Sequence, residues 1–313
     1  MDRNLALEFV RVTEAAAIEA AKWIGKGDKN AADQAAVDAM RSRFNTIQFS
    51  AVVVIGEGSK DEAPMLYTGE KVGKGSGPLM DLAVDPLECT DSVAYGRYNA
   101  LSVIVSGAKN SLLHAPDTYM EKLAVGKEGT KVIDLDAPVK TNIQKVARAL
   151  GKTVDKITVV ILDRERHKEL INNVRDAGAR VRLITDGDVA GGLATCLPES
   201  GIDLLMGLGG STEAVLAAAP IKILGGEILC RLKPRNDKDL EGIHKLGIKN
   251  LNKIFTAEDL AKGKQLTFTA TGVIDGPLLE GVRFTKDRII THSIVVRGVS
   301  GTIRYITTHH HYH

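Results

Sequence analysis

Apolar residues at Leu5, Phe9, Val12, Ala16, Ala20 and Trp23 recur every three or four positions, opposite Arg3, Glu8, Arg11 and Glu19. That spacing predicts an amphipathic first helix with one buried face. Gly25 and Gly27 stop it, Asp28 caps a second helix, and Val37, Met40 and Phe44 form that helix's buried stripe. Asp33 falls on the same stripe one turn before Val37, where a carboxylate is costly unless a cation or a donor meets it.

The run AVVVI at 51–55 is a strand that enters Gly56-Glu57-Gly58 and leaves Glu57 at its C-terminal end. Segments 67–72 and 79–84, separated by GKGSGP, predict a hairpin whose second strand delivers Asp85. Residues 100–105 read as a further strand, and 108–130 as an irregular, mobile loop around Tyr119. From about 141 the pattern becomes regular: the strands ITVVIL, VRLIT and IDLLMG alternate with the helical stretches HKELINNVRDAG, AGGLATCL and TEAVLAAA. This βαβαβ order predicts a parallel sheet with right-handed crossovers. Polar clusters close its strands, at 163–166, at Asp186-Gly187-Asp188, and from GLGG at 207–210 through Glu213. Ligands of open α/β sheets bind at such strand ends. A helical stretch near 236–262 and the antiparallel strands LTFTATGVI, VRFTKDRIITHSIVVRG and TIRYIT complete the chain.

The expected fold class is α/β in two domains: an N-terminal metal-binding α+β sheet domain over 1–140, then a C-terminal α/β substrate-binding domain over 141–313 with a βαβ parallel or mixed sheet. A length of 313 residues suits two domains. The balance of 41 basic against 39 acidic residues gives no electrostatic reason to expect nucleic acid or an anionic membrane as partner. Cys89, Cys196 and Cys230 are odd in number and far apart, which excludes a CxxC zinc site and a secreted disulfide framework and fits a reducing cytoplasm. The N-terminus lacks the apolar stretch of a signal peptide, and no later run reaches the roughly 18 apolar residues of a membrane span.

Asp33, Glu57, Asp85, Glu88 and Glu213 have no His or Cys neighbours and suit a hard cation, Mg²⁺ or Mn²⁺, rather than zinc. Pro86 biases Asp85 toward an extended conformation, and a following turn can bring Glu88 back beside it, with the Thr90 hydroxyl at the rim. Two divalent ions about 4 Å apart activate water and neutralise a departing phosphate oxygen. Arg164 and Arg166 offer forked donors to phosphate, the glycine-rich turn before the helix at 211 offers backbone N–H groups, and Asp186 and Asp188 can accept from sugar hydroxyls. Taken singly, each has a plainer reading: a capped first-turn residue for Asp33, a solvated turn for the acidic pair, loop packing for Tyr119, and a small semi-buried side chain for Cys89.

Together, GKGDKNAADQAAVDAMR at 25–41, VVIGEG at 53–58, DEAPMLYTGEKVG at 61–73, DLAVDPLECT, TDGDVAGGLAT and GIDLLMGLGGSTEAVLAAAPIKILGGE resemble the class II fructose-1,6-bisphosphatases, of the lithium-sensitive, metal-dependent sugar and inositol phosphatase group. The resemblance implies a layered α-β-α-β-α sandwich and a cytoplasmic, homo-oligomeric enzyme of gluconeogenesis, dimer or tetramer. Its implied reaction is metal-dependent hydrolysis of the 1-phosphate of fructose 1,6-bisphosphate to fructose 6-phosphate and phosphate. It implies that Asp33 and Glu57 hold one Mn²⁺ or Mg²⁺, that Asp85, Glu88 and Glu213 hold another, and that Thr90 helps activate the attacking water. The implied substrate contacts are Lys29, Glu88, Cys89, Thr90, Tyr119, Arg164, Glu165, Arg166, Asp186, Gly187, Asp188 and Gly210. The chain departs from the family pattern at Cys89, where Gly is usual, at Glu165, where Pro is usual, and at Thr212-Glu213-Ala214, where Pro-Glu-Gly is usual. Sedoheptulose 1,7-bisphosphate or an inositol phosphate are alternative substrates, and a sugar-phosphate sensor with weakened catalysis is the alternative of another class.

Overall fold

Residues 4–58 and 65–312 are described in the computed structural model. The first helix, α1 (Leu5–Ala21), and the second, α2 (Lys29–Phe44), form where the apolar spacing places them. Asp28 caps α2 by accepting the Ala31 N–H at 3.0 Å. Phe9 and Phe44 are fully buried and pack on Phe49, with the Phe9 and Phe49 rings edge-on at 5.4 Å.

Then follow β1 (Ser50–Ile55), β2 (Lys71–Val72), β3 (Leu79–Glu88), α3 (Thr90–Tyr95) and β4 (Ala100–Ala108). The hairpin expected between 67–72 and 79–84 does not form. Instead β1 lies between the two, antiparallel to β2 and parallel to β3. An apolar run such as AVVVI is a central-strand sequence, because it can be covered on both faces.

At Leu113 the chain enters a second unit, Leu113–Lys262. It contains β5 (Tyr119–Val125), α4 (Val139–Ala149), β6 (Thr158–Leu162), α5 (Lys168–Asp176), β7 (Arg180–Ile184), α6 (Asp188–Ala194), β8 (Leu204–Gly210), α7 (Ser211–Ile223), β9 (Glu227–Lys233), α8 (Asp237–Lys245) and α9 (Ala257–Leu260). Its sheet has the order β7-β6-β8-β5-β9. The expected parallel βαβαβ core is present, with β6 parallel to both β7 and β8. The expected mobile loop around Tyr119 is not: Tyr119 opens β5, which runs antiparallel between β8 and β9. Glu121 and Lys122 had masked this strand in the sequence, and Lys122 turns out to be buried and ion-paired.

The tail returns as β10 (Thr267–Ile274), β11 (Arg283–Phe284), β12 (Arg288–Arg297) and β13 (Thr302–His311). It does not make a sheet of its own, because β10 pairs antiparallel with β4 and β12 and so extends the first sheet to eight strands. The two units are therefore Met1–Leu112 with Gly263–His313, and Leu113–Lys262. This differs from a division at 140, since pairing across more than 150 residues of sequence leaves no local pattern. The THHHYH end is part of the fold as far as His311, which is paired with Arg288 in β12. Each unit is mixed α/β with a mixed sheet, as the α/β reading anticipates.

Candidate active site

In the first unit, Asp33 sits one turn into α2 at the edge of its buried stripe, and Glu57 follows the end of β1. The Glu57 N–H donates to the Leu66 carbonyl at 3.0 Å. A Cβ on the neighbouring Gly56 would stand 1.9 Å from that same carbonyl oxygen, so only glycine allows the approach that sets Glu57. Burial pushes Asp33 above the usual carboxylate range. Glu57 is pushed up to about 7, by burial first and then by the charge of Asp33. No basic side chain among the described residues offsets either shift.

The stretch after β1's neighbour is not the turn expected after Pro86. Strand β3 runs on through Pro86 to Glu88, and its pairing with β4 shifts between Asp85↔Val103 and Glu88↔Leu101. Proline cannot donate to the ladder, and the extra residue makes a bulge there. In a regular strand residues three apart face opposite ways, and the bulge cancels that alternation for Asp85 and Glu88. Asp85 is half-buried and Glu88 is 3% exposed.

Cys89 follows with φ 75° and ψ 52°, the left-handed region that the usual glycine would occupy without strain. Its carbonyl accepts the N–H groups of Ser92 and Val93, starting α3 with Thr90 as the first residue. Two further backbone bonds of 2.9 Å, Gly25 N–H to the Val93 carbonyl and Gly27 N–H to the Ala94 carbonyl, tie α3 to the loop before α2. The segment bearing Thr90 is thus stitched to the segment bearing Lys29 and Asp33, and Lys29 Nζ lies 3.5 Å from Asp91.

Among the described residues, no three or more His, Cys, Asp or Glu side chains are gathered into a metal cage. The oxygen-rich donor set nevertheless suits a hard divalent cation: the mutual repulsion of Asp33 and Glu57 is what such a cation relieves. Glu213 belongs to the second unit, in the first turn of α7.

In that second unit, Tyr119 lies beneath two guanidinium groups, Arg166 at 4.7 Å and Arg235 at 5.2 Å from the ring centre. Arg166 donates twice to the Leu208 carbonyl, at 3.1 and 2.9 Å. Arg164 donates to the Thr185 carbonyl and reaches Asp186 at 3.3 Å. Glu165, expected to oppose these arginines, is directed elsewhere: its side chain is 88% exposed and pairs with Lys168. Gly187 has φ 73° and precedes Asp188, the first residue of α6. A Cβ on Gly210 would fall 1.9 Å from Glu213 Oε2, so the Glu213 carboxylate folds into space that only glycine leaves. Thr212 Oγ1 donates to that oxygen at 2.8 Å.

Three supporting residues escaped the sequence reading. Lys122 is buried against Asp188 at 2.6 Å. Arg235 holds Asp239 by two bonds, 2.7 and 3.0 Å, which keep Asp239 below the usual carboxylate range. His167 donates from Nδ1 to the Leu162 carbonyl (2.8 Å) and accepts the Leu208 N–H at Nε2 (2.7 Å). Burial holds it below the usual histidine value, so the neutral ring is a clamp between the ends of β6 and β8. Only Lys122 left a signal, as the one polar member of the Met120, Lys122, Ala124 face of β5.

Residues 3–310 match the model of the family described as bacterial fructose-1,6-bisphosphatase, glpX-encoded. The chain is 47% identical over 324 aligned positions to a protein of Haemophilus influenzae named fructose-1,6-bisphosphatase class 2, covering 99% of this chain and 97% of that one. It is 45% identical over 323 positions to fructose-1,6-bisphosphatase 1 class 2 of Escherichia coli K12, covering 99% and 96%.

Proposed function

The chain belongs to the bacterial glpX-encoded fructose-1,6-bisphosphatase family, and from that premise we propose that it hydrolyses the 1-phosphate of fructose 1,6-bisphosphate, releasing fructose 6-phosphate and phosphate. The reaction is metal-dependent, with Mn²⁺ or Mg²⁺ held by carboxylate oxygens. The observation that carries this chemistry is the pair of half-buried carboxylates Asp33 and Glu57, where burial raises both and the charge of Asp33 helps push Glu57 up to about 7.

Asp33 and Glu57 are the proposed ligands of one ion. Asp85 and Glu88, aligned by the bulge at Pro86, serve a second, and Glu213 is the metal-ligating carboxylate of the second unit. Bound divalent ions lower the pKa of water and offset charge on a leaving phosphate oxygen. Thr90, fixed at the start of α3, orients the attacking water through its hydroxyl. Lys29 and the backbone around Glu88, Cys89 and Thr90 border the phosphate to be cleaved. Tyr119, Arg164 and Arg166 receive the retained phosphate, while Asp186, Gly187, Asp188 and Gly210 meet the sugar. Glu165 is left out of this set because it faces solvent.

Three free cysteines support a cytoplasmic location, and no helix among the described residues is long and apolar enough to cross a membrane. Phosphate release from fructose 1,6-bisphosphate is expected from chelator-treated protein only after Mn²⁺ or Mg²⁺ is restored. Absence of release with either ion, while another sugar bisphosphate or an inositol phosphate is cleaved, would replace the substrate. Absence of release from all of them would overturn the reading.

A further inference from the structure

On β5 the side chains of Met120, Lys122 and Ala124 share one face, and the pairing places Lys122 opposite Gly207 of β8 and Cys230 of β9. The Lys122 side chain is 2% exposed. An ammonium so deep needs a partner, and Asp188 supplies one: Nζ lies 2.6 Å from Asp188 Oδ2, itself on a side chain only 7% exposed. Strand β8 passes directly over this contact. A Cβ on Gly209 would stand 2.1 Å from Asp188 Oδ2 and 3.1 Å from Lys122 Nζ, so the pair occupies room that a glycine provides.

The two oxygens of Asp188 are treated differently. Oδ2 is taken by Lys122, whereas Oδ1 is buried and has no hydrogen-bond partner among the described residues. A purely structural ion pair would satisfy both oxygens, because a buried acceptor left open costs stability. Lys122 also feels a second carboxylate. Burial pulls its pKa down, but Asp188 and then Glu213 more than reverse this and hold it above the ordinary lysine value.

We propose that Lys122 is a positioning residue, which holds one oxygen of Asp188 against Gly209 so that the other is presented to a hydroxyl of the sugar phosphate. This rests on the sugar-phosphate reading above. Lys122 touches no substrate atom: it acts through Asp188, and it acts on the sugar rather than on the phosphate.

The test is calorimetric binding of fructose 6-phosphate and, separately, of inorganic phosphate to the Mn²⁺-supplemented full chain, in wild type, Lys122→Met, Asp188→Asn and the double variant. Lys122→Met is expected to weaken fructose 6-phosphate at least tenfold while phosphate stays within twofold. With Asp188→Asn already present, adding Lys122→Met should change fructose 6-phosphate affinity by less than twofold. The double variant removes both charges of the buried pair and keeps the test readable even if Lys122→Met alone fails to fold. Unchanged fructose 6-phosphate affinity in folded Lys122→Met, equal losses for both ligands, or a further tenfold loss in the double variant over Asp188→Asn would overturn the inference. Wild type that binds no fructose 6-phosphate would overturn the substrate reading itself, and this inference with it.

Discussion

The acidic residues of the two units live under opposite electrostatic regimes. In the first, burial raises both Asp33 and Glu57, and the charge of Asp33 raises Glu57 further. In the second, three acidic side chains meet cations of the protein: Asp186 with Arg164, Asp188 with Lys122, and Asp239 with Arg235. A carboxylate answered from within the fold is ready to orient a neutral hydroxyl. One opposed only by another carboxylate waits for a charge from outside. The two units thus differ in the sign of the charge that their acidic side chains meet, which is the difference the proposed division between cation binding and sugar recognition draws on.

The largest expected effect comes from removing a member of the opposed pair. Glu57→Gln should lower metal-dependent phosphate release by more than the roughly 10–100-fold that loss of an outer-shell partner of a metal costs. It should also raise the melting temperature of the metal-free protein, because a repulsion is gone. A metal-free variant less stable than wild type would break the contrast.

The same repulsion has a pH signature. Glu57 is pushed up to about 7 in the folded chain against an ordinary 4.5, so the folded state binds more protons between those limits. Stability of the metal-free protein is then greatest below about 4.5, with respect to this group, and falls as pH rises through 7. The loss is of order 3 kcal/mol at most. Denaturant titrations of wild type and Glu57→Gln at pH 5 and pH 8 measure it, and a pH response identical in the two proteins would contradict it.

In the second unit the order reverses. Asp239→Asn strips Arg235 of a bidentate partner and should destabilise the chain by about 2 kcal/mol at neutral pH. Because Asp239 is held below its ordinary value, that difference should shrink as pH falls through the acid range.

Cys89→Gly is the smallest effect. Relieving a non-glycine φ of 75° should stabilise by about 1 kcal/mol, less whatever the buried thiol contributes in packing. Phosphate release should remain comparable in both forms. A large gain in turnover would instead favour the weakened-catalysis sensor reading.

What the sequence made legible follows the range of the interactions involved. Helical spacing and the Asp28 cap are local, and α1, α2 and the β6–β8 core form where they were expected. The departure at Cys89 from the family's usual glycine was visible in the sequence, and the φ of 75° found there shows the conformational demand behind that glycine. Non-local pairing was not. Strand β1 divides the expected hairpin, β10 joins β4 from across the second unit, and β5 is disguised by a lysine whose partner is 66 residues away. Nor could the site's charge balance be read from residue types alone. Glu165 stands between two arginines in sequence yet faces solvent, and Asp85 and Glu88 are aligned by a bulge that only the pairing register reveals.

The opposed pair can be examined directly by counting protons. Calorimetric titration of Mn²⁺ into chelator-treated protein, repeated in buffers of different ionisation enthalpy, gives the number of protons released on binding. With Glu57 near 7, close to one proton should leave at pH 6 and almost none at pH 9, and Glu57→Gln should abolish the difference. Proton release that is the same at both pH values, or that persists unchanged in Glu57→Gln, would contradict a cation site built on Asp33 and Glu57.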